Sequence, residues 1–182
     1  MSTITKTQIP TGTWQVDATH SQVGFAVPYL VGTFRGSFSP VEATLAVGDD
    51  GAVELAGAAP VEGIKVQDEN LATHLLSPDF FDAERAPKIA FKAGDFDRSG
   101  DEVKVDGELT IKGITRPVEL TGTITDPLVD YTEKERIAVT LETTIDRTQF
   151  DLNWNAPIPS GEPALGNDVT VNAELFFFKA QA

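Results

Sequence analysis

The feature that most restricts this chain is a hydrophobic period of two, sustained over runs longer than an ordinary strand. Val23-Phe25-Val27, Val41-Ala43-Leu45-Val47, Val103-Val105-Gly107-Leu109-Ile111, Val118-Leu120-Gly122-Ile124, Ile137-Val139-Leu141-Thr143-Ile145 and Val169-Val171-Ala173-Leu175-Phe177 each put every second residue on one face of an extended chain. The residues between them are mostly polar, as Lys104, Asp106, Glu108 and Thr110 are in the third run. One face is therefore buried and the other wet, which is the pattern of antiparallel sheet. "GDDG" at 48–51, "RSGD" at 98–101 and "TEKE" at 132–135 supply turns between successive runs.

Long twisted strands that are apolar on one face close into a barrel, because closure removes the edges that would otherwise pair with other chains. The predicted fold is all-β, an antiparallel up-and-down barrel of about eight strands. With 182 residues the chain is long enough for one such domain, read as 13–182 behind a flexible tail at 1–12. A barrel of that size is either filled by its own side chains or holds one small ligand. Gly107, Gly122 and Ala173 fall on the inward face. Either they leave room in the lumen, or the glycines mark bends and bulges.

One segment breaks the alternation. Asp68, Leu71, Leu75 and Leu76 have helical spacing, and "SPDFFD" reads as a second start, with Ser77 as cap, Pro78 in the first turn and Asp79 against the dipole. Residues 68–84 are thus predicted as short helical turns, stopped at Ala86-Pro87. They must bury Leu75, Leu76, Phe80 and Phe81, and the mouth of a barrel is the nearest apolar surface, so they form a lid.

The net charge of -14 repels phosphate backbones, which argues against nucleic acid as a partner. Without cysteine there is neither a disulfide nor a thiolate metal site. "MSTITKTQIPTGTW" lacks the apolar stretch of a signal peptide, and no run approaches a membrane span, so a cytoplasmic protein that is not membrane-embedded is expected.

Catalytic signals are weak. His20 and His74 are the only histidines, too few for a three-histidine metal site. Asp17, His20 and Ser21 have the residue types of a triad, but adjacent side chains on an extended chain point to opposite faces, so turn and capping roles are expected. Residues 95–106 mimic a calcium loop between strand-like flanks, and a hairpin turn is favoured. Asp79 and Asp82 form a carboxylate pair better explained as helix-start charges. Trp14 and Trp154 read as end plugs of the barrel more readily than as ligand contacts.

In order along the chain stand "WQVDATHSQVGF" from Trp14, "GTFRGSF" from Gly32, "HLLSPDFFDAERAPKIAF" from His74, "GELTIKGITRPVEL" from Gly107 and "IDRTQF" from Ile145. Together they resemble the YceI-like family of lipid-binding proteins from Gly12 onward. The resemblance implies a lipocalin-like barrel whose elongated apolar lumen holds a polyisoprenoid or isoprenoid-quinone tail. It also implies a homodimer, and it implies no enzyme. The family's usual Arg-Asp pair before His-Leu is replaced here by Leu71 and Ala72. Asp151 stands where glycine is common, followed by the long "NAPIPSGEPALG" loop. Both departures bear on headgroup preference.

The expected function is non-catalytic binding, storage or transport of a long apolar lipid, with no cofactor required. The inward positions expected to touch it are Phe25, Val105, Leu109, Leu120, Ile124, Val139, Leu141, Val171 and Leu175, with Phe34, Leu75, Phe80, Phe81 and Phe91 at the mouth. Two rivals are a filled barrel acting as a stress-response or interaction module, and a lipid-modifying enzyme using His20 or His74.

Overall fold

The structure, a computed structural model, describes residues 9–180. The chain forms β1 (Gly12–Val16), β2 (Gln22–Tyr29), β3 (Gly32–Phe38), β4 (Glu42–Val47), β5 (Val53–Pro60), β6 (Ile64–Lys65), the helix α1 (Glu69–Leu76), β7 (Lys88–Ser99), β8 (Glu102–Ile111), β9 (Ile114–Ile124), β10 (Leu128–Val129), β11 (Glu135–Asp146) and β12 (Asp168–Lys179). Several strands are halves of one bent stave. β1 and β2 both run antiparallel to β12, at Trp14↔Lys179 and at Ala26↔Thr170, so they point the same way on either side of a turn at 17–21. By the same reasoning β3 continues into β4, β5 into β6, and β9 into β10.

Counted this way there are eight staves: β1/β2, β3/β4, β5/β6, β7, β8, β9/β10, β11 and β12. Each pairs antiparallel with the next, and β12 closes the ring by pairing with β11 from Arg136↔Phe178 to Asp146↔Asp168 and with β1/β2 on its other edge. The fold is a closed antiparallel up-and-down barrel, in agreement with the period-two alternation. β8 shows why, since its residues from Glu102 to Leu109 alternate between wall and solvent with Val103, Val105 and Leu109 buried.

The bends need particular residues. At 17–21 the Asp17 carboxylate accepts from the Thr19 backbone N–H (3.1 Å) and its carbonyl accepts from His20 N–H (3.2 Å), which holds the turn. The segment Val61–Gly63 is a single 3-10 turn, and a Cβ on Gly63 would lie 2.1 Å from the Ser39 carbonyl oxygen. Gly122 is tighter still: a Cβ there would meet the Thr140 carbonyl oxygen at 1.6 Å. Its small size lets two staves approach, so it serves the wall and not the lumen. At Gly107 a Cβ would lie 2.4 Å from the Lys92 carbonyl oxygen and 2.8 Å from the Phe91 ring, so no side chain is accommodated there either. Of the three small inward residues, Ala173 alone borders open space.

Of the tail expected at 1–12, residues 1–8 lie outside the described residues. Ile9 is buried against the core, and Gly12 already pairs with Val47. The hairpin reading of 95–106 agrees with the strands on either side of Gly100, whose φ of +62° suits glycine. Among the described residues no helix is long and apolar enough to cross a membrane.

Candidate functional site

The interior divides into a solid half and a hollow half. In the solid half Trp14, Leu45, Val105, Val139 and Phe177 have no exposed surface, and Ile124 packs with them. Trp14 is the plug expected of it, its indole N–H donating to the Pro10 carbonyl at 3.1 Å. Two large aromatics and the β-branched residues around them leave this end without space.

The hollow half holds a cavity of about 430 Å³. That lies in the range of roughly 300–1,000 Å³ usual for small-molecule sites. Its floor is Leu120, Leu141 and Leu175, its walls include Val23, Ala43, Leu55, Ile89, Val118, Val169, Val171 and Ala173, and its roof is the lid segment with Leu71, Leu75, Phe80 and Phe81. Of the residues expected to face a ligand, Phe25, Phe34, Leu75, Phe80, Phe81, Phe91, Leu109, Leu120, Leu141, Val171 and Leu175 line this cavity. Val105, Ile124 and Val139 do not. They share the inward face, but they stand at the depth where Trp14 and Phe177 already occupy the barrel.

The lid is built differently from the expectation. The Asp68 carboxylate caps α1, accepting from the N–H groups of Asn70 (2.8 Å) and Leu71 (3.1 Å). Ser77 ends this helix instead of starting a second: its hydroxyl donates to the His74 carbonyl at 2.5 Å, and its backbone is extended. Residues 77–85 are turns, in which the N–H groups of Phe81 and Ala83 reach back to the carbonyls of Leu75 and Leu76. Leu75, Phe80 and Phe81 are thereby turned inward and buried. Asp79 faces His74 Nε2 at 3.1 Å, whereas Asp82 lies 3.9 Å from Arg85. The two carboxylates have separate side-chain neighbours and do not form a pair.

Two aromatic groups frame the mouth. Phe25 lies 5.9 Å from Phe34, 5.7 Å from Phe38 and 6.4 Å from Phe81, between ring centroids. Opposite them His74 stands edge-on to Phe80 and to Trp154, each at 5.0 Å. Trp154 therefore borders the cavity, a role that sequence reasoning gave second place. Lys112, at the tip between β8 and β9, ties the roof down: its ammonium donates to the carbonyls of Pro78 (3.0 Å) and Asp151 (2.9 Å).

Several wall residues were missed although the alternation marks them: Val27, Ile111, Ile145 and Val169 share the inward face of their runs, while Leu55 lies on β5, for which no run was read. Leu152 and Leu165 come from the irregular segment that follows the 3-10 turn Arg147–Phe150, where no period exists to find them. Arg147 was missed for another reason. It is 3% exposed, and it borders a cavity otherwise lined almost wholly by carbon. Its Nε donates to the Gly166 carbonyl (2.8 Å), and its Nη1 donates to those of Leu152 (2.5 Å) and Trp154 (2.9 Å). Burial lowers its pKa from the ordinary arginine value, against the Coulombic pull of Asp146. A charge following a run of apolar residues reads from sequence as the end of a strand.

His20 and Ser21 do not form a catalytic pair. His20 Nδ1 is held by Asp17 at 2.7 Å, and the Ser21 hydroxyl accepts from the Phe176 N–H at 2.9 Å, so both side chains secure the bend between β1 and β2. Asp17 also receives Arg136 at 3.0 Å, which in turn pairs with Asp130.

Comparison with known proteins agrees with this architecture. The family model for the YceI-like domain matches residues 14–177. UPF0312 protein SAUSA300_2620 of Staphylococcus aureus is 32% identical over 168 residues, covering 88% of this chain and 94% of that protein. Among solved structures, Burkholderia cenocepacia BcnA superposes with a TM-score of 0.75 at 20% identity, covering 88% of this chain and 98% of its own. A polyisoprenoid binding domain from Saccharophagus degradans gives 0.68 at 13% identity, covering 92% and 98%. At these identities the structural likeness concerns the fold.

Proposed function

The chain belongs to the YceI-like family, and from that premise we propose that it binds an apolar lipid, of polyisoprenoid or isoprenoid-quinone type, inside its barrel. The observation that carries this reading is the cavity of about 430 Å³, enclosed by one chain, solid at one end and roofed at the other. A related fold described as a polyisoprenoid binding domain supports the class of ligand.

The cavity also sets a length. An apolar cavity of about 150 Å³ accommodates benzene, so by proportion this one holds on the order of 17 carbons, about three isoprene units. A longer tail leaves its remainder at or beyond the mouth. Transfer of ten methylene equivalents from water contributes about 8 kcal/mol, which exceeds the several kcal/mol lost in immobilising the ligand. Discrimination between tails of similar girth is weak, because an apolar wall recognises volume and little else. The cavity favours this reading over a barrel filled by its own side chains. A second copy would add nothing to the wall, so a homodimer is compatible with the reading and unnecessary to it.

Binding without catalysis is the simpler use of the site. His74 is the histidine at the cavity, and its Nε2 is engaged by Asp79. Organic extraction of the purified protein followed by mass spectrometry is the test, together with titration of the delipidated chain with farnesol and geranylgeraniol. A prenyl or comparable chain recovered near one per barrel supports the proposal. An empty extract combined with no binding of either alcohol would refute it. His20→Ala and His74→Ala are expected to retain the ligand, and turnover of the extracted lipid abolished by either change would favour an enzyme instead.

A further inference from the structure

A buried guanidinium with two unused hydrogens borders the lipid cavity. Three of the five N–H groups of Arg147 are taken by the carbonyls of Gly166, Leu152 and Trp154. The two on Nη2 have no acceptor among the described residues, and no carboxylate there lies within ion-pairing distance of Arg147. No sealed side-chain nitrogen or oxygen among the described residues lacks a partner, so Nη2 reaches open space, and the space that Arg147 lines is the cavity. The preceding carboxylate offers no neutralisation by contact. Asp146 accepts instead from the N–H (2.9 Å) and hydroxyl (2.6 Å) of Thr148.

We propose that Arg147 is a headgroup-selecting residue: the preferred ligand carries an anion, carboxylate or phosphate, that accepts from Nη2 under the lid while its tail lies along the apolar floor. This rests on the lipid-binding reading and adds the class of head to it. A cation in a low-dielectric wall, compensated by carbonyl dipoles and, without contact, by the neighbouring Asp146, gains most from an acceptor that brings charge of its own. A hydroxyl or a methyl group at the same place supplies none. Arg147 follows directly on the end of β11 at Asp146, and the strand from Leu141 to Asp146 spans about 17 Å at about 3.4 Å per residue, so head and tail have room at opposite ends of the cavity. The net charge of -14 opposes anions at a distance, but screening within about 8 Å at physiological salt leaves the contact itself to decide.

The other polar groups at the wall are less suited, and of these Tyr29 and Trp154 bring no positive charge. His74 is engaged by Asp79, and the Thr143 hydroxyl donates to the Glu119 carbonyl at 2.8 Å.

The test uses the delipidated full chain and three probes that share one tail: palmitate, hexadecyl phosphate and hexadecanol, titrated calorimetrically. The wild-type protein is expected to bind one or both anions at least about tenfold more tightly than the alcohol, and the stronger of the two identifies the head as carboxylate or phosphate. In Arg147→Gln the preference is lost while hexadecanol affinity stays within about threefold, with an unchanged far-ultraviolet spectrum. A merely structural arginine would lower all three affinities together. Equal binding of the probes by wild type overturns the proposal, as does a preference that survives in folded R147Q. Should R147Q not fold, the wild-type comparison decides alone. Failure of all three probes to bind would instead count against lipid binding itself.

Discussion

Replacing Ala173 by Phe places a ring where the cavity wall is lowest. Ala173 pairs with Leu141 on one side and Val23 on the other, and all three line the hollow half. A benzene-sized group occupies about 150 Å³, roughly a third of the 430 Å³ available. It therefore excludes about six carbons of tail, and at about 0.8 kcal/mol per methylene the loss of binding is at most about 5 kcal/mol. A tail can retreat toward the mouth and recover part of this. The expected weakening is from about 30-fold to about 3,000-fold, taking about 1.4 kcal/mol per decade. Stability should move little, because the ring enters space instead of displacing packed atoms, and a melting temperature within about 4 °C of wild type is expected. The assay is calorimetric titration of delipidated wild-type and A173F protein with geranylgeraniol, alongside thermal unfolding of each. Unchanged affinity in a folded A173F barrel would refute the reasoning, since a ligand in the lumen cannot ignore a third of its volume.

Further expectations concern the wall, the ion cluster and the roof. Gly122→Ala drives a methyl to 1.6 Å from the Thr140 carbonyl oxygen and should cost about 3 kcal/mol or more by calorimetry, whereas Gly94→Ala meets no atom within 4 Å and should cost under about 1 kcal/mol. The carboxyls of Asp17 and Asp130 lie below the ordinary value of 3.8, the first chiefly through His20 and then Arg136, the second chiefly through Thr132 and then Arg136. Groups depressed in the folded state contribute stability above 3.8 that is lost as pH falls through their folded values. Arg136→Gln should accordingly lower the melting temperature at pH 7, and its gap from wild type should narrow as pH drops from about 5 to about 2; a constant gap would sink this account. Lys112→Ala frees the carbonyls of Pro78 and Asp151, so stopped-flow release of a bound lipid should quicken by about five- to tenfold, and an unchanged rate would show that the roof is held elsewhere.

Much of the site was legible because inwardness is a local property of a strand. Once Leu109 or Leu141 stands in an alternating run, its side of the sheet is settled by the pleat. Depth is not local. Val105 and Leu109 lie on one face of one strand, four residues apart, yet the first is packed beneath Trp14 and Phe177 and the second faces open space. What separates them is the bulk contributed at that level by other staves, which the alternation in β8 cannot report. Ser77 shows the same limit. Its residue type and the following proline fit a helix start, but the preceding turn had already offered its hydroxyl the His74 carbonyl, and the backbone took the cap.

The residue pattern by itself determined that this chain is an antiparallel barrel with an inward apolar face and a capped helical interruption, because period and turn chemistry act over a few residues. Only the closed tertiary structure decided which half is hollow, that Gly122 serves a close approach of strands, and that Arg147 ends inside the wall with one nitrogen unspent. Cavity and counter-charge are differences between neighbours brought together from far along the chain, and they exist only once the ring has closed.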